Sequence, residues 1–249
     1  MIFYLTCEQI RLVLLKKYQL QSHLNELLIE LHYLPCLDYV SGLMQFDRVW
    51  LEAQEHYQKQ SYRNRSYVLT ANKVDVLTVP VQRGTHRQPI RDLRIDNGQP
   101  WQTHHWRCLR AAYSRTPFYE YYAPEFEMAY RKNWSFLFDL NRELLTICLR
   151  ALGLKTPVDL TECYEKELAS GLFDARSRVN PPNDSESYIF HEPVPYQQNF
   201  GPDFAPNLSI IDLLFCQGPA AKQLLSSSVS TVSSLHSTAL NQRPITRKF

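Results

Sequence analysis

Glycine is scarce in this chain, seven residues in 249. Neither GxGxxG nor GxxxxGK followed by Ser or Thr occurs, which argues against a dinucleotide-binding fingerprint or a Walker loop. Closely spaced cysteines are missing too. Cys7, Cys36, Cys108, Cys148, Cys163 and Cys216 stand far apart with no CxxC pair, the usage expected of reduced, mostly buried thiols in a cytoplasmic protein. Nor is there a long apolar run. The opening MIFYLTCEQIRLVLLKKYQ is broken by Glu8, Arg11, Lys16 and Lys17, so it falls short of the roughly 20 apolar residues of a membrane span and has no signal-peptide cleavage pattern.

What is present is a gathered positive charge. From Lys59 to Arg115 the chain carries eleven Lys or Arg against three Asp and no Glu, so this segment is +8 and the remainder −6 within a formal net charge of +2. Positive charge concentrated among few acids suits an anionic ligand, which the charge alone does not identify. A hydrophobic content of 44% over 249 residues is enough for one packed domain with appendages.

Periodicity divides the chain into an N-terminal helical extension (1–24), a single α/β domain (25–225) and a disordered Ser-rich tail (226–249) with seven serines. ELLIELHY from Glu26 reads as a buried strand, CLDYVSGLMQF as a helix and RVWLEAQ as a second strand. Strand, helix, strand in this order normally gives a parallel βαβ crossover. RSYVLT and VDVLTVPV, separated by Ala71-Asn72-Lys73, predict a hairpin, and IRDLRID is a further strand candidate. Residues 103–114, 119–131 and 134–153 predict helices. The expected class is therefore α/β, a mixed, partly parallel sheet opening with a βαβ unit and followed by a helical second half. Residues 171–207 hold six of the fifteen prolines and predict a long loop. Asn207 is placed to cap the helix of LSIIDLLF.

Several side chains carry chemistry in that frame. His32 follows a predicted strand and precedes a helix, where open α/β sheets bind ligands, and a histidine there can exchange protons near neutral pH. It can equally be a buried histidine satisfied by backbone groups. Glu52 and Glu55, at the end of the second predicted strand, are candidates to orient that imidazole, or else ordinary surface carboxylates. Arg63 and Arg65 project to one side of an extended backbone. They can grip a phosphate or carboxylate bidentately, or pair with distant acids. His105 opens a helix that also offers Arg107, and an anion near its start would meet the favourable end of the dipole. A metal site lacks a third ligand beside His104-His105, with no HxxxH or HExxH. Basic and aromatic residues interleave around Tyr57, Tyr62, Tyr67, Trp101 and Trp106, but no nucleic-acid-binding signature accompanies them, so nucleic acid ranks third. Nothing in the sequence names a cofactor or an oligomeric state.

The order His32-Tyr33-Leu34-Pro35, Phe46-Asp47, Tyr57, Tyr62-Arg63-Asn64-Arg65, Leu77-Thr78-Val79-Pro80-Val81, Trp101, His105 with Tyr113, Pro117-Phe118 and Pro206-Asn207-Leu208-Ser209-Ile210-Ile211-Asp212 resembles the WbqC-like protein family from about Leu27 to Leu225. That resemblance implies a bacterial protein linked to O-antigen or other surface-polysaccharide biosynthesis. By extension it implies a transferase moving an acyl or aminoacyl group onto an activated sugar, a phosphate-bearing or nucleotide-activated small molecule; the alternative is a non-catalytic binding or docking module that recognises an acidic partner or ligand through the same arginines. It adds weight to His32, His105, Tyr57, Arg63, Asn64, Arg65 and Asn207 as site residues. The proline-rich stretch after Tyr164 departs from the family pattern of a helix followed by a strand, which puts the completeness of the sheet in question.

Overall fold

The computed structural model describes residues 25–82, 88–166, 168, 171–181 and 188–228. The predicted N-terminal helix and nearly all of the Ser-rich tail lie outside these residues. Strand β1 (Glu26–Glu30) is followed by helix α1 (Leu37–Met44) and strand β2 (Arg48–Glu52). The two strands pair in parallel register from Glu26 opposite Arg48 to Glu30 opposite Glu52. All five residues of β1 are buried, as expected of a central parallel strand covered on both faces. Two short strands finish this sheet, β5 (Val158–Leu160) beside β2 and β6 (Leu172–Asp174) beside β1. The order is therefore β5-β2-β1-β6, all parallel.

The predicted hairpin is present as β3 (Arg65–Leu69) and β4 (Val74–Thr78), antiparallel and in a separate two-stranded sheet. The mixed character expected from the sequence is thus divided between two sheets. Helices α2 (Trp101–Tyr113), α3 (Tyr119–Arg131) and α4 (Leu137–Ala151) follow, and α4 buries the predicted stripe through Leu144, Leu145, Ile147 and Cys148. Gly153 ends that segment in the left-handed region at φ 61°, the conformation glycine adopts without a Cβ clash. Two further helices, α5 (Ile210–Gln217) and α6 (Ala221–Ser227), close the described fold.

Three expectations need correction. IRDLRID is not a strand: Ile90–Asp92 forms a single 3-10 turn, and Arg94 and Ile95 make only isolated bridges. Ile90, Leu93 and Ile95 are all buried, and their spacing fits no period of 2. The proline-rich segment begins with β6 instead of a loop. Asn207 does not cap α5, because Ser209 does so, its hydroxyl accepting from the Ile211 amide.

Asn207 instead caps α1 from 169 residues away. The Asp38 amide donates to Asn207 Oδ1 at 2.9 Å, while Cys36, the local N-cap, makes no side-chain cap bond. Asn207 adopts φ 50°, a conformation asparagine tolerates better than most residues. Asn207→Ala should lower stability by about 1 kcal/mol in urea unfolding, the usual loss for an N-cap side chain, and Asn207→Asp should retain most of it.

Candidate functional site

The end of β1 brings charge into the sheet. Glu30 sits in a strand with no exposed residue, where an unpaired carboxylate is too costly to persist, and the fold surrounds it with donors. His32 Nε2 lies 3.1 Å from Glu30 Oε1, the Ser177 amide donates to Glu30 Oε2 at 2.8 Å, and Arg63 Nη1 is 3.6 Å from Oε1. Burial would raise the carboxyl, but the hydrogen bond and charge of its neighbours outweigh this and hold Glu30 down at about 2. An ionised carboxylate only accepts, so the proton of the neutral imidazole belongs on Nε2. His32 Nδ1 is then an unprotonated acceptor, buried and without a hydrogen-bond partner among the described residues. Tyr39 and Tyr62 flank the ring, with centroids 4.4 and 5.2 Å away, and burial lowers the proton affinity of His32 below its ordinary value.

Arg63 is the second buried charge, 1% exposed. It donates from Nε and Nη2 to the two oxygens of Glu55 at 2.8 and 2.6 Å, a bidentate pair. Burial opposes its charge, yet Glu55 and Glu30 more than compensate and keep the guanidinium protonated above its ordinary value. Its carbonyl accepts from Asn141 Nδ2 at 2.7 Å. A neighbouring network holds Glu52, whose Oε1 accepts from Thr161 Oγ1 at 2.7 Å and the Gln54 amide at 2.9 Å. Arg176 Nη1 reaches Glu52 Oε2 at 3.1 Å and also grips Asp174. Glu30, Glu52, Thr161, Arg176 and Ser177 all stand at or just beyond the carboxyl ends of the four parallel strands, the edge where open α/β sheets bind ligands.

The predicted residues are only partly brought together. His32 is at this edge, but Glu30 orients it in place of Glu52 or Glu55. Arg63 is engaged by two carboxylates and is not free to grip an anion. Arg65 differs, since it makes no ion pair among the described residues and its Nε is buried and unpartnered. The half-buried Tyr57 phenol lies within the field of Arg65 and Arg63; burial raises it and those charges oppose the rise. Asn64 donates from Nδ2 to the Val79 carbonyl at 3.0 Å, leaving its Oδ1 unpartnered among the described residues.

His105 belongs to another cluster. Its Nδ1 is 2.8 Å from the Tyr33 hydroxyl, which also bonds Tyr130, and burial lowers its proton affinity to about 4. Arg107 is exposed on α2. Asp212 takes hydrogen bonds from Tyr196 and Gln198. Among the described residues no three His, Cys, Asp or Glu side chains are placed to hold a metal ion, and no helix is long and apolar enough to cross a membrane.

Glu30 was missed although a signal existed: an acid inside an apolar run, two residues before His32 and so on the same face of an extended chain. Ser177, Arg176 and Asn141 left no readable signal, because their roles depend on contacts 78 to 147 residues away in sequence.

The depressed Glu30 carboxyl sets a pH dependence. A group whose folded value lies below its unfolded one contributes stability that is fully present above the unfolded value, near 4.5, and lost as pH falls toward 2. The destabilisation caused by Glu30→Gln, roughly 3 kcal/mol at pH 7, should shrink steadily in urea titrations between pH 5 and 2.5.

The sequence model of the WbqC-like protein family matches residues 31–179 and 184–224, which is most of the chain. The uncharacterized protein Rv1507c of Mycobacterium tuberculosis is 28% identical over 229 residues, covering 80% of this chain and 96% of that protein. No solved structure matches.

Proposed function

The chain belongs to the WbqC-like protein family, and from that premise we propose that it is a cytoplasmic transferase of bacterial surface-polysaccharide biosynthesis, moving an acyl or aminoacyl group onto an activated sugar. The observation that carries this reading is the neutral His32, oriented by ionised Glu30 through Nε2 with Nδ1 unpartnered among the described residues, at the carboxyl edge of a parallel sheet. The His32 side chain is 0% exposed, so the proposed step requires the carboxyl edge to open and admit the acceptor, whose hydroxyl or amine then attacks the acyl carbon and gives its proton to His32 Nδ1; the proton passes to the departing group as its bond to the acyl carbon breaks. Arg65 and Tyr57 are the groups proposed to hold the anionic part of the donor or acceptor.

The test is a mass-spectrometric search for acylated product after incubating purified protein with acyl-CoA or aminoacyl donors and nucleotide sugars. A product whose formation depends on His32 supports the reading.

A second reading, a non-catalytic module docking an acidic partner, is favoured by Arg107 and Arg110. Both are exposed on α2, and neither makes an ion pair among the described residues. On that reading no product forms, and association weakens with salt.

A further inference from the structure

Ser177 holds an unusual position beside the His32–Glu30 pair. It stands three residues beyond β6 in the left-handed region at φ 57°, which costs a non-glycine residue of order 1 kcal/mol. The surroundings impose this conformation: its amide donates to Glu30 Oε2 at 2.8 Å and its carbonyl accepts from Asn180 Nδ2 at 2.8 Å. The hydroxyl is equally constrained. Ser177 Oγ accepts from Arg63 Nη2 at 3.2 Å and from Gln58 Nε2 at 3.0 Å.

A serine hydroxyl has two acceptor lone pairs and one proton. Both acceptor positions are occupied, and the proton makes no hydrogen bond among the described residues. What Ser177 has left to offer is an O–H donor, polarised by a guanidinium and a carboxamide. It is also reachable. Arg63 and His32 are each 1% exposed, whereas Ser177 is half-buried.

We infer that the Ser177 hydroxyl is the hydrogen-bond donor that receives an anionic oxygen of the ligand at this centre: a phosphate or carboxylate oxygen, or an acyl carbonyl oxygen as it becomes negative. The inference rests on the reading that the carboxyl edge is the functional centre. Arg63, neutralised by Glu55 and Glu30, acts on the ligand through this hydroxyl and not by direct contact, much as donors elsewhere stabilise a developing oxyanion.

The experiment uses inorganic phosphate as the probe, with thermal unfolding followed against chloride at equal ionic strength. In the unsubstituted protein phosphate should raise the melting temperature saturably. Ser177→Gly removes the hydroxyl while accepting the positive φ without strain. Relief of the positive φ offsets only part of the lost hydrogen bonds from Arg63 and Gln58, so it should melt a few degrees below the parent without phosphate, and it should bind phosphate at least ~10-fold more weakly, the usual loss of a hydrogen bond to a charged group. Ser177→Ala should show the same loss of binding with a lower melting temperature. A phosphate shift that survives in Ser177→Gly overturns the inference, and if that shift disappears in Arg65→Gln, the anion reading of Arg65 stands without Ser177. A Ser177→Gly protein that is merely less stable, with unchanged phosphate affinity, makes the hydroxyl structural. No saturable shift in the unsubstituted protein also overturns the inference, while His32-dependent turnover remains a separate question.

Discussion

Replacing Arg63 with methionine is expected to lower the melting temperature by on the order of 10 °C or to prevent folding. The guanidinium is the shared partner of Glu55 and Glu30, and its removal strands two carboxylates of which one is fully buried and the other 5% exposed. Breaking a buried pair on one side costs about 3–5 kcal/mol, because the remaining charge is left uncompensated, and each kcal/mol is worth roughly 2–4 °C in a domain of this size. Removing Glu55 as well should return part of that loss. Arg63→Met combined with Glu55→Gln is therefore expected to be less destabilised than the sum of the two single variants, a coupling a double-mutant cycle measures. Arg65→Gln, which breaks no ion pair among the described residues, should change the melting temperature by only a few degrees. Equal effects from the two arginines would contradict the assignment of one to the core and the other to the ligand.

His32→Gln should have the opposite profile. Glutamine keeps an N–H donor for Glu30 and much of the side-chain volume between Tyr39 and Tyr62, so folding should survive with a small change in melting temperature. The basic nitrogen is lost. Proton transfer by a positioned base is worth about 10²–10⁴ in rate, so turnover of whatever substrate the product search identifies should fall by that factor. KM should move little, because anion binding is assigned to Arg65, Tyr57 and Ser177. Full activity in His32→Gln would make His32 a core histidine whose role is to bond Glu30.

How much of this was readable follows from the range of the interactions. The strands β1 and β2, helix α1 and the hairpin were legible because apolar runs and turn residues mark them locally. The edge strands β5 and β6 were not, since each has three residues, all half-buried, and shows no alternation. The position of His32 followed from the strand–helix junction, but its partner was sought at the end of β2 when β1 itself supplied it. Arg63 illustrates a different limit. Its stretch of sequence is poor in acids, so it looked free, yet Glu55 lies eight residues before it and Glu30 thirty-three residues before it. Charge gathered along a chain says where cations are, and only the fold says which of them are already neutralised.

The central claim is that the imidazole at the carboxyl edge is a neutral base whose proton is held on Nε2 by ionised Glu30. Nitrogen NMR of protein labelled at histidine, with His32 assigned by comparison with His32→Gln, tests this directly at pH 7. Expected are a protonated Nε2 and an unprotonated Nδ1, with the hydrogen-bond shift of the Nε2 proton reduced in Glu30→Gln, whose neutral amide oxygen is a weaker acceptor than the carboxylate. A proton on Nδ1 instead, or a doubly protonated ring, would contradict it.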